Sequence, residues 1–202
     1  MEHTHDLPLT YFGPFEFAFR RRGPGYMELL GGIDRADAEV VVERIEKALD
    51  APDAARFVDA MLSEGGWRPH LVACVAHLLD QTGKVDRDLL WRAIDGESWV
   101  IPQLVATAAL CDEQFATKAR VRVERGSAPK LLASILGVCA ASPGLQQLEP
   151  VWRRDPRLLE VLEKDVDRSD LLAASWMVSA QRLLLKRGLA SRPERSSHPA
   201  RP

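Results

Sequence analysis

The sequence predicts an all-α fold assembled from antiparallel helix pairs. Apolar residues recur at helical spacing from Asp34 to Lys186, glycine and proline interrupt them at short intervals, and one stretch returns. That stretch is Trp67–Asp80 (WRPHLVACVAHLLD), echoed by Trp99–Asp112 (WVIPQLVATAALCD), by Ser127–Cys139 and more faintly by Arg168–Ala180. Each copy opens on a proline or a cap residue, continues as Leu-Val or Leu-Ala, and closes in small and branched apolar residues. What repeats is packing chemistry, with no catalytic residue type in a fixed place.

Residues 1–33 stand apart as an aromatic N-terminal arm. Both tyrosines (Tyr11, Tyr26) and Phe12, Phe15, Phe17 and Phe19 fall before residue 27. Phe15-Glu16-Phe17-Ala18-Phe19 alternates with period two, which predicts an extended segment with three rings on one face. Pro14 and Gly23-Pro24-Gly25 exclude a long helix there. Such an arm would lie over the first helices and cover an exposed core edge; the alternative is a strand or aromatic plug that inserts into a partner. Arg20-Arg21-Arg22 behind it reads as a solvated rim.

A helical-repeat domain is expected over residues 34–187. Asp34 or Asp37 can cap a first helix with Ala38, Val41, Val42, Ile45 and Leu49 on one stripe. Pro52 suits the first turn of a second helix, which turns Phe57, Val58, Met61 and Leu62 inward and ends at Gly65-Gly66. Trp67–Asp80 follows, with Leu71, Val75, Leu78 and Leu79 as its core stripe. Asp86 or Asp88 begins the next helix, which buries Leu89, Leu90, Ala93 and Ile94 and stops at Gly96. Ser98 can cap Trp99–Asp112, which is apolar nearly all round and is therefore predicted to be covered on most sides. Glu113–Arg125 is amphipathic, with Phe115, Ala119 and Val123 inward and Lys118, Arg120 and Arg125 outward. Helices over Pro129–Ala141 and from Ser169 to about Lys186 complete the pattern, with two short helices expected around Leu145–Trp152 and Pro156–Glu163. Residues 188–202 are rich in proline, serine and arginine and are expected to be a disordered tail.

The proline spacing adds an architectural clue. Pro69 to Pro102 is 33 residues, Pro102 to Pro129 is 27, and Pro129 to Ser169 is 40. Paired helices of this size with variable loops make an α-solenoid. In this pattern, most clearly over Trp67–Val123, the chain resembles HEAT- and armadillo-like repeat proteins. The resemblance implies a curved stack of about ten helices used for binding, and no residue-level role.

Composition narrows the chemistry. The chain of 202 residues carries 27 basic and 29 acidic side chains, a formal net charge of −2, so it has no global attraction for nucleic acid or acidic membranes. Cys74, Cys111 and Cys139 are three, an odd number, and all lie in apolar helical patterns, as small buried hydrophobes of a reducing compartment would. With no secretory signal at the start and no apolar run long enough to span a bilayer, a cytoplasmic protein is expected.

Few constellations suggest chemistry. His70, Cys74 and His77 fall within about 60° around their helix, but the two histidines are roughly 10 Å apart along the axis. Edge-of-core packing is the stronger reading there, and no metal or cofactor is expected. Walker-type and dinucleotide-binding loops are missing, as are HExxH, GxSxG and paired CxxC motifs.

These observations lead to a non-catalytic protein-binding module. A bacterial toxin-neutralising (immunity-like) or contact-system accessory protein is the expected kind. Phe15, Phe17, Phe19, Trp67, Trp99 and Trp152 are the candidate partner-binding residues, because exposed aromatic rings make good anchors. The competing expectation is a HEAT-like nucleic-acid-binding protein or alkylpurine DNA glycosylase, with Trp67 and Trp99 beside Glu64 or Asp112 and a basic patch from Lys118, Arg120, Arg122 and Arg125.

Overall fold

The computed structural model describes residues 9–20, 22–63, 66–80, 82–83, 85–96, 98–142, 144–145, 156, 159–160, 163 and 168–189. Among these residues all regular structure is helical. They fall into two compact units, one running to Val100 and the other starting at Ile101. Of the two expected short helices, Leu145–Trp152 lies outside the described residues except for Leu145, while the described residues of Pro156–Glu163 (156, 159, 160 and 163) are all helical; the expected tail lies outside beyond Leu189.

The first unit holds two 3₁₀ segments, Leu9–Phe19 and Tyr26–Leu29, and four α-helices: α1 (Ala36–Ala48), α2 (Ala54–Ser63), α3 (Trp67–Leu79) and α4 (Arg87–Asp95). The arm does lie on the first helices, since Leu9–Phe19 packs against α2 and α1. It is not extended. Three residues per 3₁₀ turn replace the expected period of two, so Phe15 and Ala18 are both fully buried and Phe12 joins them. The cause is local. Gly13 takes φ 49° and ψ −125°, a conformation open to glycine, and its missing side chain leaves room for Phe57, whose ring atoms lie 2.5 Å from where a Cβ would stand. Pro14 follows, and the chain turns instead of running straight.

α1 buries Ala38, Val41, Val42 and Ile45, as its stripe predicts, together with Ala48; Leu49, expected on that stripe, is the C-cap and only half-buried. Its N-cap is Arg35, neither expected aspartate; Asp37 sits one residue inside, pairing with Arg35 at 2.6 Å. α2 likewise begins at Ala54, after Pro52. α3 departs more sharply from a leucine stripe: every residue from His70 to Leu79 is buried, in contact with α1, α2 and the Tyr26–Leu29 segment. Its closing residue, Asp80, folds the connection to α4. One carboxylate oxygen accepts the Thr82 N–H and hydroxyl (2.9 and 2.6 Å), and the other accepts the Val85 N–H at 3.2 Å. Asp86 then caps α4 through the Asp88 N–H at 2.8 Å.

The second unit contains α5 (Ile101–Cys111), α6 (Phe115–Arg125), α7 (Pro129–Ala141) and α8 (Ser169–Lys186). All eleven residues of α5 are buried, as its apolar circumference predicts, and it packs against α7 and α8. Full burial leaves hydroxyls without water, and they turn back on their own helices. Thr107 donates to the Gln103 carbonyl at 2.8 Å, and Ser134 on α7 to the Lys130 carbonyl at 2.7 Å. Asp112 repeats the role of Asp80: buried at the end of its helix, it accepts the Gln114 N–H at 2.9 Å and the Lys118 ammonium at 3.0 Å. Lys118 was expected outward; this buried carboxylate draws it in.

α7 and α8 meet so closely that Gly137 has no room for a side chain. A Cβ there would collide with the Asp170 backbone carbonyl, an obstacle that no rotamer change removes. Gly137→Ala is therefore expected to destabilise the protein by roughly 2–3 kcal/mol, the upper range for overpacking a core. Gly144→Ala, where a Cβ would meet nothing within 4 Å, should be close to neutral. Urea unfolding of the two variants beside the parent checks the contrast.

Candidate interaction site

The aromatic residues of the first unit converge. Phe12 stacks on Phe19 with ring centroids 4.0 Å apart, and Phe19 faces Tyr26 at 6.2 Å. Tyr26 meets Trp67 edge-on at 5.5 Å, and Trp67 faces Trp99 at 6.4 Å with the planes tilted by 34°. Apart from the closer Phe12–Phe19 stack, these distances lie within the range in which ring quadrupoles attract. The two 3₁₀ segments, the first residue of α3 and the turn after α4 each contribute rings. Phe12 is buried, Phe19, Tyr26 and Trp67 are half-buried, and Trp99, at the far end, is 77% exposed.

Arg68 braces the ladder. Its Nε donates to the Tyr26 hydroxyl at 2.9 Å, while the guanidinium lies over the Tyr26 ring at 5.5 Å and the Trp67 ring at 4.7 Å. One cation thus holds the second 3₁₀ segment against the start of α3. Beneath it, His70 Nδ1 and Ser98 Oγ share a buried hydrogen bond of 2.8 Å, and Ser98 also accepts the Val100 N–H at 3.4 Å. That pair ties α3 to the short segment that carries Trp99. Ser98 thus does more than the capping expected of it.

Of the residues singled out from sequence, the structure brings Phe19, Trp67 and Trp99 into one ladder. Phe15 is core, fully buried, and not available to a partner. Phe17 is half-buried under the Arg44 guanidinium, 4.2 Å from the ring centroid. Trp152 and Glu64 lie outside the described residues. Trp99 does not open its helix, which starts at Ile101; two turn residues, Trp99 and Val100, intervene. Sequence reasoning passed over Arg68 and the His70–Ser98 pair. The signal for Arg68 was its place directly after Trp67, on a helix whose neighbours include a tyrosine-bearing segment.

His70, Cys74 and His77 are all buried inside α3's surroundings instead of flanking a stripe, and among the described residues no three His, Cys, Asp or Glu side chains are grouped as metal ligands would be. Asp59 accepts the Asp86 N–H at 3.2 Å, joining α2 to the α4 cap; burial raises its pKa, and the charge of Asp86 adds to the rise. Asp112 spends its carboxylate on the α5–α6 turn. Arg122 donates to the Lys118 carbonyl at 3.0 Å, and Lys118 is held by Asp112, so only Arg120 and Arg125 of the expected basic patch are exposed. Among the described residues no helix is long and apolar enough to cross a membrane. No family model, curated protein or solved structure matches the chain.

His70 supplies a pH dependence. Burial disfavours the imidazolium and lowers the His70 pKa below 6.5, with the Leu62 backbone carbonyl opposing the shift. The unfolded chain then takes up the proton first as pH falls. The stability due to neutral, buried His70 is complete above about pH 6.5 and is lost as pH drops from there through the folded pKa. Wild type should lose unfolding free energy across that acidic range faster than His70→Gln, which cannot titrate. Chemical denaturation at a series of pH values measures both slopes.

Proposed function

We propose that this chain is a non-catalytic protein-binding module of HEAT-like helical-repeat type, and that it binds a partner protein through the Trp99 end of the aromatic ladder. The observation that carries the proposal is an indole 77% exposed to water on a rigid backing of Trp67, Tyr26 and Arg68. An aromatic ring fixed in place before binding loses little conformational entropy when it is covered, which is what makes such residues strong anchors. The recurrence of the Trp67–Asp80 pattern along the sequence, with its varying proline intervals, supports the repeat reading. Within this class, a small solitary helical array fits a toxin-neutralising (immunity-like) or contact-system accessory protein in a bacterial cytoplasm.

The competing nucleic-acid reading draws little support from the side chains. One of its two acids, Asp112, is committed to Gln114 and Lys118, the other, Glu64, lies outside the described residues, and its basic patch is reduced to two exposed arginines. A phosphate backbone needs several cations together.

The test compares wild type with Trp99→Ala as immobilised baits in lysate of the source cell. A discrete protein should be retained by wild type and lost by at least about tenfold from the variant, the loss a central aromatic anchor gives, while the melting temperature stays unchanged. Identical retention by both baits would sink the proposal. Release of bases from alkylated DNA that disappears in Asp112→Asn would establish the enzyme reading in its place.

A further inference from the structure

We propose that Arg68 receives a carboxylate from an acidic peptide segment of the partner, whose neighbouring aromatic or apolar side chain packs on Trp99. The inference rests on the protein-binding reading and adds the chemistry of the ligand. It starts from an arginine that has no ion-pair partner among the described residues. The exposed Arg20, Arg35 and Arg92 each pair with a carboxylate: Glu16 at 3.1 Å, Asp37 at 2.6 Å and Asp86 at 3.8 Å. Arg44 and Arg56 also lie over phenyl rings, but both are exposed and water serves their donors. Arg68 is half-buried, so water reaches it less, and among the described residues no carboxylate lies within ion-pair distance of it.

Its partners use only part of what it offers. Nε is committed to the Tyr26 hydroxyl, and Cζ lies 5.5 Å from the Tyr26 ring centroid and 4.7 Å from that of Trp67. The two terminal nitrogens keep their donors, and resonance holds them in one plane. A planar fork of this kind matches the two oxygens of a carboxylate, and the fixing of its rotamers removes most of the entropy that a free arginine would lose on binding. Aromatic contact does not neutralise the charge, so an incoming anion meets a full positive charge in partly dehydrated surroundings.

The distances suit a peptide. Arg68 Cζ lies 4.7 Å from the Trp67 centroid, which lies 6.4 Å from the Trp99 centroid, so the charge and the exposed indole are at most about 11 Å apart. Residues one or two apart in an extended chain span roughly 4–7 Å between Cα atoms, and their side chains cover the remainder. A phosphodiester strand is a poorer match, because this cluster contains one cation where such a strand needs a row of them.

The experiment pans a displayed library of random hexapeptides on the immobilised full-length chain, with Trp99→Ala as the counter-bait. Selected peptides should carry Asp or Glu within two positions of an aromatic or large apolar residue. Changing that acid to its amide in a synthetic peptide should weaken binding by at least about tenfold, the loss expected for one charge-assisted hydrogen-bond pair. This swap leaves the protein untouched, so folding cannot confound it. Arg68→Gln should match the effect of the amide peptide and Arg68→Lys should recover only part of it, with circular dichroism melts confirming that both fold. Peptides that need Trp99 but tolerate the amide would overturn the Arg68 inference and leave the binding-module reading standing. Selection of nothing that distinguishes wild type from Trp99→Ala would overturn both. Binding of a single-stranded oligonucleotide in place of peptides, lost in Arg68→Gln, would overturn the choice of carboxylate.

Discussion

The first unit depends on the meeting of Tyr26, Trp67 and Arg68. Short 3₁₀ segments have poor hydrogen-bond geometry and do not hold themselves together. Leu9–Phe19 and Tyr26–Leu29 keep their shape because their rings are bound to something firmer. Phe12 stacks on Phe19, Phe19 faces Tyr26, and Arg68 joins Tyr26 to the first turn of α3 by both a hydrogen bond and its charge. α3 is in turn buried from His70 to Leu79, so the whole ladder is referred to the most thoroughly packed helix of the unit. The same linkage fixes Trp67, against which Trp99 lies.

Much of the helical order was legible, for a reason that the exceptions make plain. α7 and α8 begin and end where Pro129, Ser142-Pro143-Gly144, Ser169 and Lys186 place them, because caps and breakers act through the backbone of their own neighbourhood. The burial of α5 was legible too, since a helix without a polar face has only one stable environment. The arm was not. Phe15, Phe17 and Phe19 alternate with period two, but the left-handed turn at Gly13 and the Phe57 ring above it impose period three. That competition is tertiary, and no local pattern reports it. α3 misled in part: its leucines mark a stripe and Cys74 is buried as expected, yet His70 and His77 are buried as well because neighbouring elements close over the helix.

The candidate site was half legible. Composition exposes the rings, and repetition draws attention to Trp67 and Trp99, but neither says which rings touch. Tyr26 and Trp67 are 41 positions apart, and Ser98 is 28 from His70. The repeat itself carried more structural information than its apolar core suggested. The aspartate that ends each of its first two copies, Asp80 and Asp112, folds the following connection by accepting backbone N–H groups. A conspicuous acid closing a stretch that opens on tryptophan invites a catalytic role. Here the carboxylates are consumed in making turns.

A near-neutral chain can still recognise a charged partner if one charge is placed well. Long-range attraction falls with net charge and with salt, but a guanidinium held against two rings acts at contact range, where desolvation and geometry decide. Arg68 has the rigidity that an exposed lysine lacks, and Trp99 offers the apolar surface that a lone charge lacks. Separately, an exposed indole binds without discrimination and an isolated arginine binds weakly. Held about 11 Å apart or less by Trp67, they demand an acid and an apolar group at a set spacing, so specificity arises from the distance between two ordinary contacts.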